Sequence, residues 1–308
     1  MSLNDQDAFI RAAAFAYLDL LVARSGGTVT RAELESFEHD GTRIPLVERQ
    51  RGIRKVAGLD AALSILTTFT PDPSKAPYDD GVGPDGYPRY KWQGTNAESF
   101  DNVALRNAME HRKPLVWFRG VGPGEFRPVY PVYLVGEEAN AHQFVLALEE
   151  GMREQWEPLV DLLEHPADLA ARRRYADVMV RQRLHQQVFR DRVLLAYKRR
   201  CALCGLRHME LLDAAHIKED AEGGEPIVPN GIAMCAIHHR AFDAHVLGIS
   251  PEYQIEVRTD VLEEQDGPTL RHALQGMHGE VITLPTKRVA RPDPLLLEER
   301  FVRFRAAG

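Results

Sequence analysis

The sequence predicts an α+β protein in two parts: a mixed α/β amino-terminal part and a smaller carboxy-terminal part built around metal ligands. Helical and strand-like apolar runs alternate along the first half of the chain. A basic stretch without Gly or Pro follows over residues 168–200, and all three cysteines come after it. We place a small helical or winged-helix-like module at 1–70, a mixed α/β domain at 71–165, a basic connecting helix at 166–200 and a metal-containing domain at 201–308.

The composition is that of an ordinary globular protein, with 308 residues, 44% hydrophobic and 27% charged. The amino terminus lacks a signal-peptide pattern, and no apolar stretch approaches the roughly 20 residues that cross a bilayer. We therefore expect a cytoplasmic protein with no membrane partner. Three cysteines are too few for a disulfide framework, so we expect them reduced, either buried or on metal.

The amino-terminal elements follow from periodicity and capping. Apolar side chains recur near helical spacing over residues 5–24, and Gly26 and Gly27 end the run. Thr30 precedes Glu33 by three residues, a capping-box pattern that predicts a second, short helix. A further helix is expected at 101–112, and strands are expected in three apolar, β-branched and aromatic runs: ALSILTTF (62–69), KPLVWFRGV (113–121) and YPVYLV (130–135).

The charge distribution indicates one anionic partner at one place. The whole chain carries a formal charge of −7, yet residues 172–200 hold ten Lys or Arg residues against two acids. A solvated helix face is the alternative reading of these charges. The predicted contacts with a DNA backbone are Arg183, Arg190, Lys198, Arg199 and Arg200.

Four soft or borderline ligands occur as two spaced pairs in the carboxy-terminal part. Cys201 and Cys204 form a CxxC pair, and Cys235 and His238 form a CxxH pair about thirty residues later. Four such ligands are what a closed tetrahedral zinc site requires. The sequence therefore predicts one structural Zn²⁺ that uses all three cysteines.

Between and beyond these pairs lie LLDAAHI with His216, then Asn230 before GIAM, then His239 and Asp243. This order resembles the HNH (ββα-metal) endonuclease family, with His216, Asn230 and His239 at the three positions of its name. The resemblance covers residues 201–243 and implies two strands and a helix that hold one catalytic divalent cation.

The chemistry agrees with this resemblance. His239 and Asp243 are four residues apart on the expected helix, so both side chains leave the same face and can share a metal. His216 lies on the preceding strand, where a neutral imidazole accepts a proton from water near pH 7. We assign Asn230 to holding the loop and orienting His216.

One departure from the family concerns the residue before the general base. Many members have an Asp or His metal ligand there, whereas this chain has Ala215. Asp213 points to the same face of the strand and is a candidate replacement. The alternative is a cation held by His239, Asp243, phosphate and water alone, and Mg²⁺, Mn²⁺ and Ni²⁺ all remain open.

A second resemblance covers residues 78–135. The carrying residues are Tyr78-Asp79-Asp80, Tyr90, the glycine of Trp92-Gln93-Gly94, the segment DNVALRNA, KPLVWFRG and the run from Tyr130 to Val135. They resemble a divergent SRA domain, a PUA-like fold that flips a modified cytosine out of duplex DNA. The resemblance implies a base-reading pocket of Tyr78, Asp79, Asp80, Tyr90 and Trp92, in which aromatic rings stack on the base and a carboxylate reads its edge.

Together these patterns predict a modification-dependent restriction endonuclease that acts on double-stranded DNA carrying a modified cytosine, as a monomer or homodimer. One alternative keeps the nuclease but has its front domain read unmodified sequence or phosphorothioate. A non-enzyme alternative is a zinc-containing DNA-binding module. The presence of His216 and Asp243 beyond the zinc ligands favours catalysis, because a binding module needs neither.

Overall fold

The computed structural model describes residues 3–70, 83, 87–148, 186–219 and 222–307. Contacts divide the chain into two compact units, Met1–Leu184 and His185–Gly308. None of the helices in the described ranges combines the length and the apolar character needed to cross a bilayer.

The described strands of the first unit are β1 (Val29–Thr30), β2 (Glu38–His39), β3 (Thr42–Arg43), β4 (Ile53–Lys55), β5 (Ala62–Thr67), β6 (Arg89–Lys91), β7 (Leu115–Gly122), β8 (Glu125–Glu138) and β9 (Gln143–Ala147). Seven of them form one sheet, whose path runs β4-β5-β7-β8-β9-β6, with β1 paired to β8. β5 and β7 are parallel, whereas the other pairs are antiparallel. A separate two-stranded hairpin is formed by β2 and β3.

Helices cover both faces of this sheet, which explains why residues 115–118 of the central strand β7 are all apolar and buried. Alternate residues of β7 enter two different cores: Val116 and Phe118 pack with α1 (Leu3–Ser25), while Leu115 and Trp117 pack with α3 (Phe100–Glu110). Because side chains alternate across a strand, a sheet buried on both sides needs apolar residues at every position.

Several sequence predictions about this unit are confirmed. The first helix matches the predicted run, and α2 (Arg31–Glu35) begins with the predicted capping box between Thr30 and Glu33. Strands from both sides of residue 70 belong to one sheet. The boundary placed at residue 70 therefore falls between strands that are joined by backbone hydrogen bonds.

The second unit is built around one hydrophobic core. A helix over 186–196 (α4) and two short hairpins pack against each other in this core. Of the connecting helix predicted at 166–200, residues 166–185 lie outside the described residues. The described part ends before residue 200, because Lys198 and Arg199 adopt left-handed backbone conformations with φ of 56° and 53°. The remaining elements are β10 (Leu212–His216), β11 (Gly231–Cys235), α5 (Ala236–Asp243), β12 (Leu247–Ile249), β13 (Ile255–Val257), α6 (Thr259–Glu263) and α7 (Pro294–Ala306).

Candidate active site and metal centre

An antiparallel hairpin followed directly by a helix positions the predicted site residues. In the hairpin, His216 at the end of β10 pairs with Gly231 at the start of β11. Cys235 is both the last residue of β11 and the N-cap of α5. This is the two-strand and one-helix arrangement that the sequence predicts for residues 212–243.

The four predicted zinc ligands lie together. The ligand atoms of Cys201, Cys204, Cys235 and His238 are all within 4.8 Å of one another. His238 Nδ1 is 3.4 Å from Cys201 Sγ and 3.2 Å from Cys235 Sγ. Zinc bonds of about 2.3 Å to sulfur and 2.0 Å to nitrogen in a tetrahedron place such atoms about 3.5 Å apart. The cluster therefore has the ligand types and the approximate spacing of a tetrahedral zinc site.

The surroundings of the cluster favour metal binding. His238 Nε2 lies 2.7 Å from the carbonyl oxygen of Ala273, a contact in which Nε2 donates and Nδ1 keeps its lone pair for a metal. The buried thiols of Cys201 and Cys235 share a hydrogen bond that lowers the pKa of Cys201 and raises the pKa of Cys235 to about 11. One of the two is thus readily converted to the thiolate that zinc requires.

His216 is held by an aromatic stack. Its ring lies 4.1 Å from the ring of Phe189 on α4, centroid to centroid, at an interplanar angle of 18°. Gly231 makes this packing possible, since a Cβ there would come within 2.7 Å of Phe189 Cζ and 2.5 Å of Val193 Cγ2. The glycine after Asn230 is therefore required by the close approach of α4.

Asn230 closes the loop between the two strands. Its Oδ1 accepts from the amide of Lys218 at 2.9 Å, and its Nδ2 donates to the carbonyl oxygens of Lys218 and Glu225, both at 2.9 Å. The side chain is buried, and both of its amide hydrogens and its carbonyl oxygen are hydrogen-bonded. This geometry agrees with the predicted role of holding the loop that begins directly after His216.

His239 lies between two carboxylates. Its Nδ1 is 3.4 Å from Asp213 Oδ2, and its Nε2 is 3.3 Å from Asp243 Oδ2. The hydrogen bond to Asp213 raises the pKa of His239 against the effect of burial, and the charge of Asp243 adds to it. Burial alone would raise the pKa of the Asp213 carboxyl. Hydrogen bonds from His239 and the amide of Ala214 outweigh this effect, and the charges of His239 and Arg190 add to them, so the pKa is lowered.

This group has the donor set of a divalent cation site. Carboxylate oxygens and an imidazole nitrogen suit Mg²⁺, Mn²⁺ and Ni²⁺. Ala215 is fully buried and offers no ligand, whereas Asp213 reaches His239 from the same strand. The two nitrogens of His239 face different carboxylates, so a cation bound through one nitrogen has one of the two acids beside it.

Arg300 is a site residue that the sequence analysis missed. It extends from α7 into the site, where Nη1 donates to the carbonyl of Ile217 at 3.2 Å. Nη2 donates to the carbonyl of Phe242 at 3.2 Å and lies 3.1 Å from Asp243 Oδ1. The guanidinium also covers the ring of Phe242 at 4.0 Å. Nothing in the sequence marked this arginine, because its contacts are 57 to 84 residues away along the chain.

The predicted DNA-backbone residues do not share one environment. Arg190 donates to the carbonyls of Met209 and Leu212, and its Nε is 3.5 Å from Asp213. This arginine supports β10 from within the unit, which corrects its assignment to a DNA contact. Lys198 and Arg200 are exposed, Arg199 is half-buried, and Arg183 lies outside the described residues.

The predicted base-reading residues are also divided. Tyr90 and Trp92 are 5% and 4% exposed, inside the core that faces α3. The Tyr90 hydroxyl donates to the carbonyl of Gly52 at 3.0 Å. Their rings therefore pack in the fold and do not line an open pocket, which corrects that expectation. Tyr78, Asp79 and Asp80 lie outside the described residues.

The DNVALRNA segment, which contributed to the SRA resemblance, has a structural role. Asn102 is fully buried and donates to the carbonyls of Gln93 and Asn96, while its Oδ1 accepts from the amide of Gln93. This side chain fixes the loop after Trp92 to the start of α3.

Comparison with known proteins supports the carboxy-terminal assignment. Residues 201–250 match the family model described as HNH endonuclease. No curated protein matches the chain. Solved structures that resemble the chain at low TM-score include two restriction endonucleases. The modification-dependent TagI restriction endonuclease has 16% identity over 82% of this chain and 85% of its own, with a TM-score of 0.29. The Type IV phosphorothioation-dependent restriction endonuclease ScoMcrA has 15% identity over 63% of this chain and 48% of its own, with a TM-score of 0.23. Residues 201–250 thus match the HNH endonuclease family, and within them Cys201 and Cys204 before the hairpin, with Cys235 and His238 after it, form a Cys₃His cluster able to hold zinc.

Proposed function

We propose that this chain is a metal-dependent endonuclease that hydrolyses phosphodiester bonds in double-stranded DNA. The observation that carries the proposal is the agreement between the HNH match at 201–250 and the placement of the residues that such a site needs. His216 ends β10, Asn230 closes the following loop, and His239 and Asp243 lie one turn apart on α5.

His216 acts as the general base. Its ring is oriented by Phe189, and a neutral imidazole accepts a proton near pH 7. The oxygen of water bonds to phosphorus as His216 takes its proton, and the bond from phosphorus to the 3′ oxygen breaks. The leaving oxygen takes a proton from solvent, so the products are a 5′ phosphate and a 3′ hydroxyl.

His239 would hold the divalent cation together with the carboxylate beside the coordinating nitrogen, which is Asp213 at Nδ1 or Asp243 at Nε2. The chemistry that Mg²⁺, Mn²⁺ or Ni²⁺ supplies there is stabilisation of negative charge on the scissile phosphate and the leaving oxygen. Arg190 and Arg300 each contact one of the two carboxylates and keep it in position.

We further propose that the first unit makes cleavage depend on DNA modification, with modified cytosine as the preferred target. This step rests on the SRA-like sequence pattern from Tyr78 to Val135. Because Tyr90 and Trp92 belong to the core, Tyr78, Asp79 and Asp80 are the residues assigned to the base. Phosphorothioate and unmodified sequence are the competing targets.

One set of digestions tests both parts. Purified protein is incubated with unmodified, 5-methylcytosine, 5-hydroxymethylcytosine and phosphorothioate plasmids, each in Mg²⁺, Mn²⁺ and Ni²⁺. We expect cutting of the methylated or hydroxymethylated plasmid and little cutting of the unmodified one. The matched variants are His216→Ala, which should abolish cutting while zinc content and DNA binding persist, and His208→Ala, an exposed histidine that should cut normally.

The outcomes separate the alternatives. Near-normal cutting by His216→Ala would mean that another group is the base. Equal cutting of all plasmids would remove modification dependence and leave the nuclease. Binding without cutting in every metal would favour the zinc-containing DNA-binding module.

A further inference from the structure

An arginine-lined cleft lies in the first unit. Its volume is about 560 Å³, and it is formed by the segment between β3 and β4 together with one residue of α2. None of its residues entered the predicted sites. The lining residues are Glu35, Arg43, Pro45, Val47, Glu48, Arg49, Gln50, Arg51 and Arg54.

Two of the four arginines are neutralised by the two glutamates. Arg54 Nη1 lies 2.6 Å from Glu48 Oε1, and Arg54 Nε donates to the carbonyl of Pro45 at 2.8 Å. Arg49 donates to both carboxylate oxygens of Glu35, at 3.2 and 3.3 Å. Each of these ion pairs joins one arginine to one glutamate, so the two pairs line the cleft without adding net charge to it.

The other two arginines supply the surplus charge. Arg43 is exposed and uses its Nε on the carbonyl of Glu35 at 2.7 Å, and among the described residues no hydrogen-bond acceptor is found for its two Nη groups. The side chain of Arg51 is 52% exposed, and within the described part of the chain its ion pair is a long one, 3.5 Å to Asp101. Both guanidinium groups therefore keep donors for an external anion.

We propose that this cleft binds the phosphodiester backbone of duplex DNA and so anchors the first unit on its substrate, an inference that rests on the proposed function. The planar guanidinium group matches two phosphate oxygens and is the preferred protein group for this contact. On a chain with a formal charge of −7, DNA affinity has to come from local basic surfaces. Arg190, a predicted backbone contact, is used inside the second unit, which increases the need for such a surface elsewhere.

The test measures salt dependence of binding. The full chain with His216→Ala, which should bind without cutting, is titrated against a fluorescent duplex at several salt concentrations. Each of Arg43→Gln and Arg51→Gln should lower affinity and make the slope of log K against log salt less steep by about 1, and the double variant by about 2. Arg24→Gln, an exposed arginine on α1 outside the cleft, is the control and should leave the slope unchanged.

A charge gain provides the opposite test. Glu35→Gln releases Arg49 from its partner, so it should tighten binding and steepen the slope. The loss in Arg43→Gln and Arg51→Gln should be equal on modified and unmodified duplexes, because a backbone contact does not read the base.

Failure of this proposal is distinguishable from failure of the nuclease. If the cleft variants bind like Arg24→Gln while wild-type protein still cuts DNA, the cleft is not a DNA site and the nuclease assignment stands. Loss on modified DNA alone would make the cleft a base-reading site and overturn the backbone proposal. If wild-type protein neither binds nor cuts DNA, both fail.

Discussion

Replacing Arg300 by Met tests whether α7 holds the HNH site together. Methionine keeps an apolar stem against Phe242 but removes every donor. Three hydrogen bonds of 3.1–3.2 Å are lost, to the carbonyls of Ile217 and Phe242 and to Asp243. A hydrogen bond contributes about 0.5–1.5 kcal/mol net, and the carboxylate bond lies at the low end because the Asp243 side chain is 40% exposed. We expect the free energy of unfolding to fall by about 3 kcal/mol.

The assay is urea unfolding followed by far-ultraviolet circular dichroism, with Arg303→Met on the same helix as the matched control. With a denaturant slope of roughly 2 kcal/mol per molar urea, the midpoint of Arg300→Met should fall by about 1.5 M. Arg303 makes solvent-exposed ion pairs with Glu222 and Glu299, so its loss should lower the stability much less than the loss of Arg300. Cleavage should fall in Arg300→Met as well, since the guanidinium joins the end of β10 to the helix that carries Asp243. Equal destabilisation by the two variants would refute this reasoning.

Two further predictions concern the metal and the core tyrosine. Elemental analysis of purified protein should give about one zinc per chain. Cys235→Ser should lose both the zinc and the folded second unit, because a structural zinc contributes directly to folding. A metal-free protein that remains fully folded would contradict the zinc site. Tyr90→Phe should lower the stability of the first unit by about 1 kcal/mol, because the hydrogen bond from its hydroxyl to the carbonyl of Gly52 is lost. Discrimination between modified and unmodified DNA in paired titrations should stay unchanged. Weakened binding of modified DNA alone would show that Tyr90 reads the modified base.

The sequence alone determined the parts of the site that depend on short spacings. The CxxC and CxxH pairs indicated four zinc ligands, and the structure brings their ligand atoms together. The four-residue separation of His239 and Asp243 placed both on one helix face, where they contact each other. The capping box of α2 was likewise readable from Thr30 and Glu33. In each case backbone geometry over a few residues sets the distance, so the residue types suffice.

Only the tertiary structure decided which residues are buried and which long-range partners they have. Tyr90 and Trp92 occur in a segment rich in Gly and Pro, yet the sheet and α3 enclose both rings. Arg190 carries the same charge as its basic neighbours, but its Nη2 donates to the carbonyl of Leu212 on β10 and to that of Met209 just before the strand. Arg300 reaches the site from a helix more than fifty residues beyond it. Burial and long-range hydrogen bonds arise when elements distant in the chain pack together. A local pattern of residue types does not determine that packing, so it cannot predict either of them.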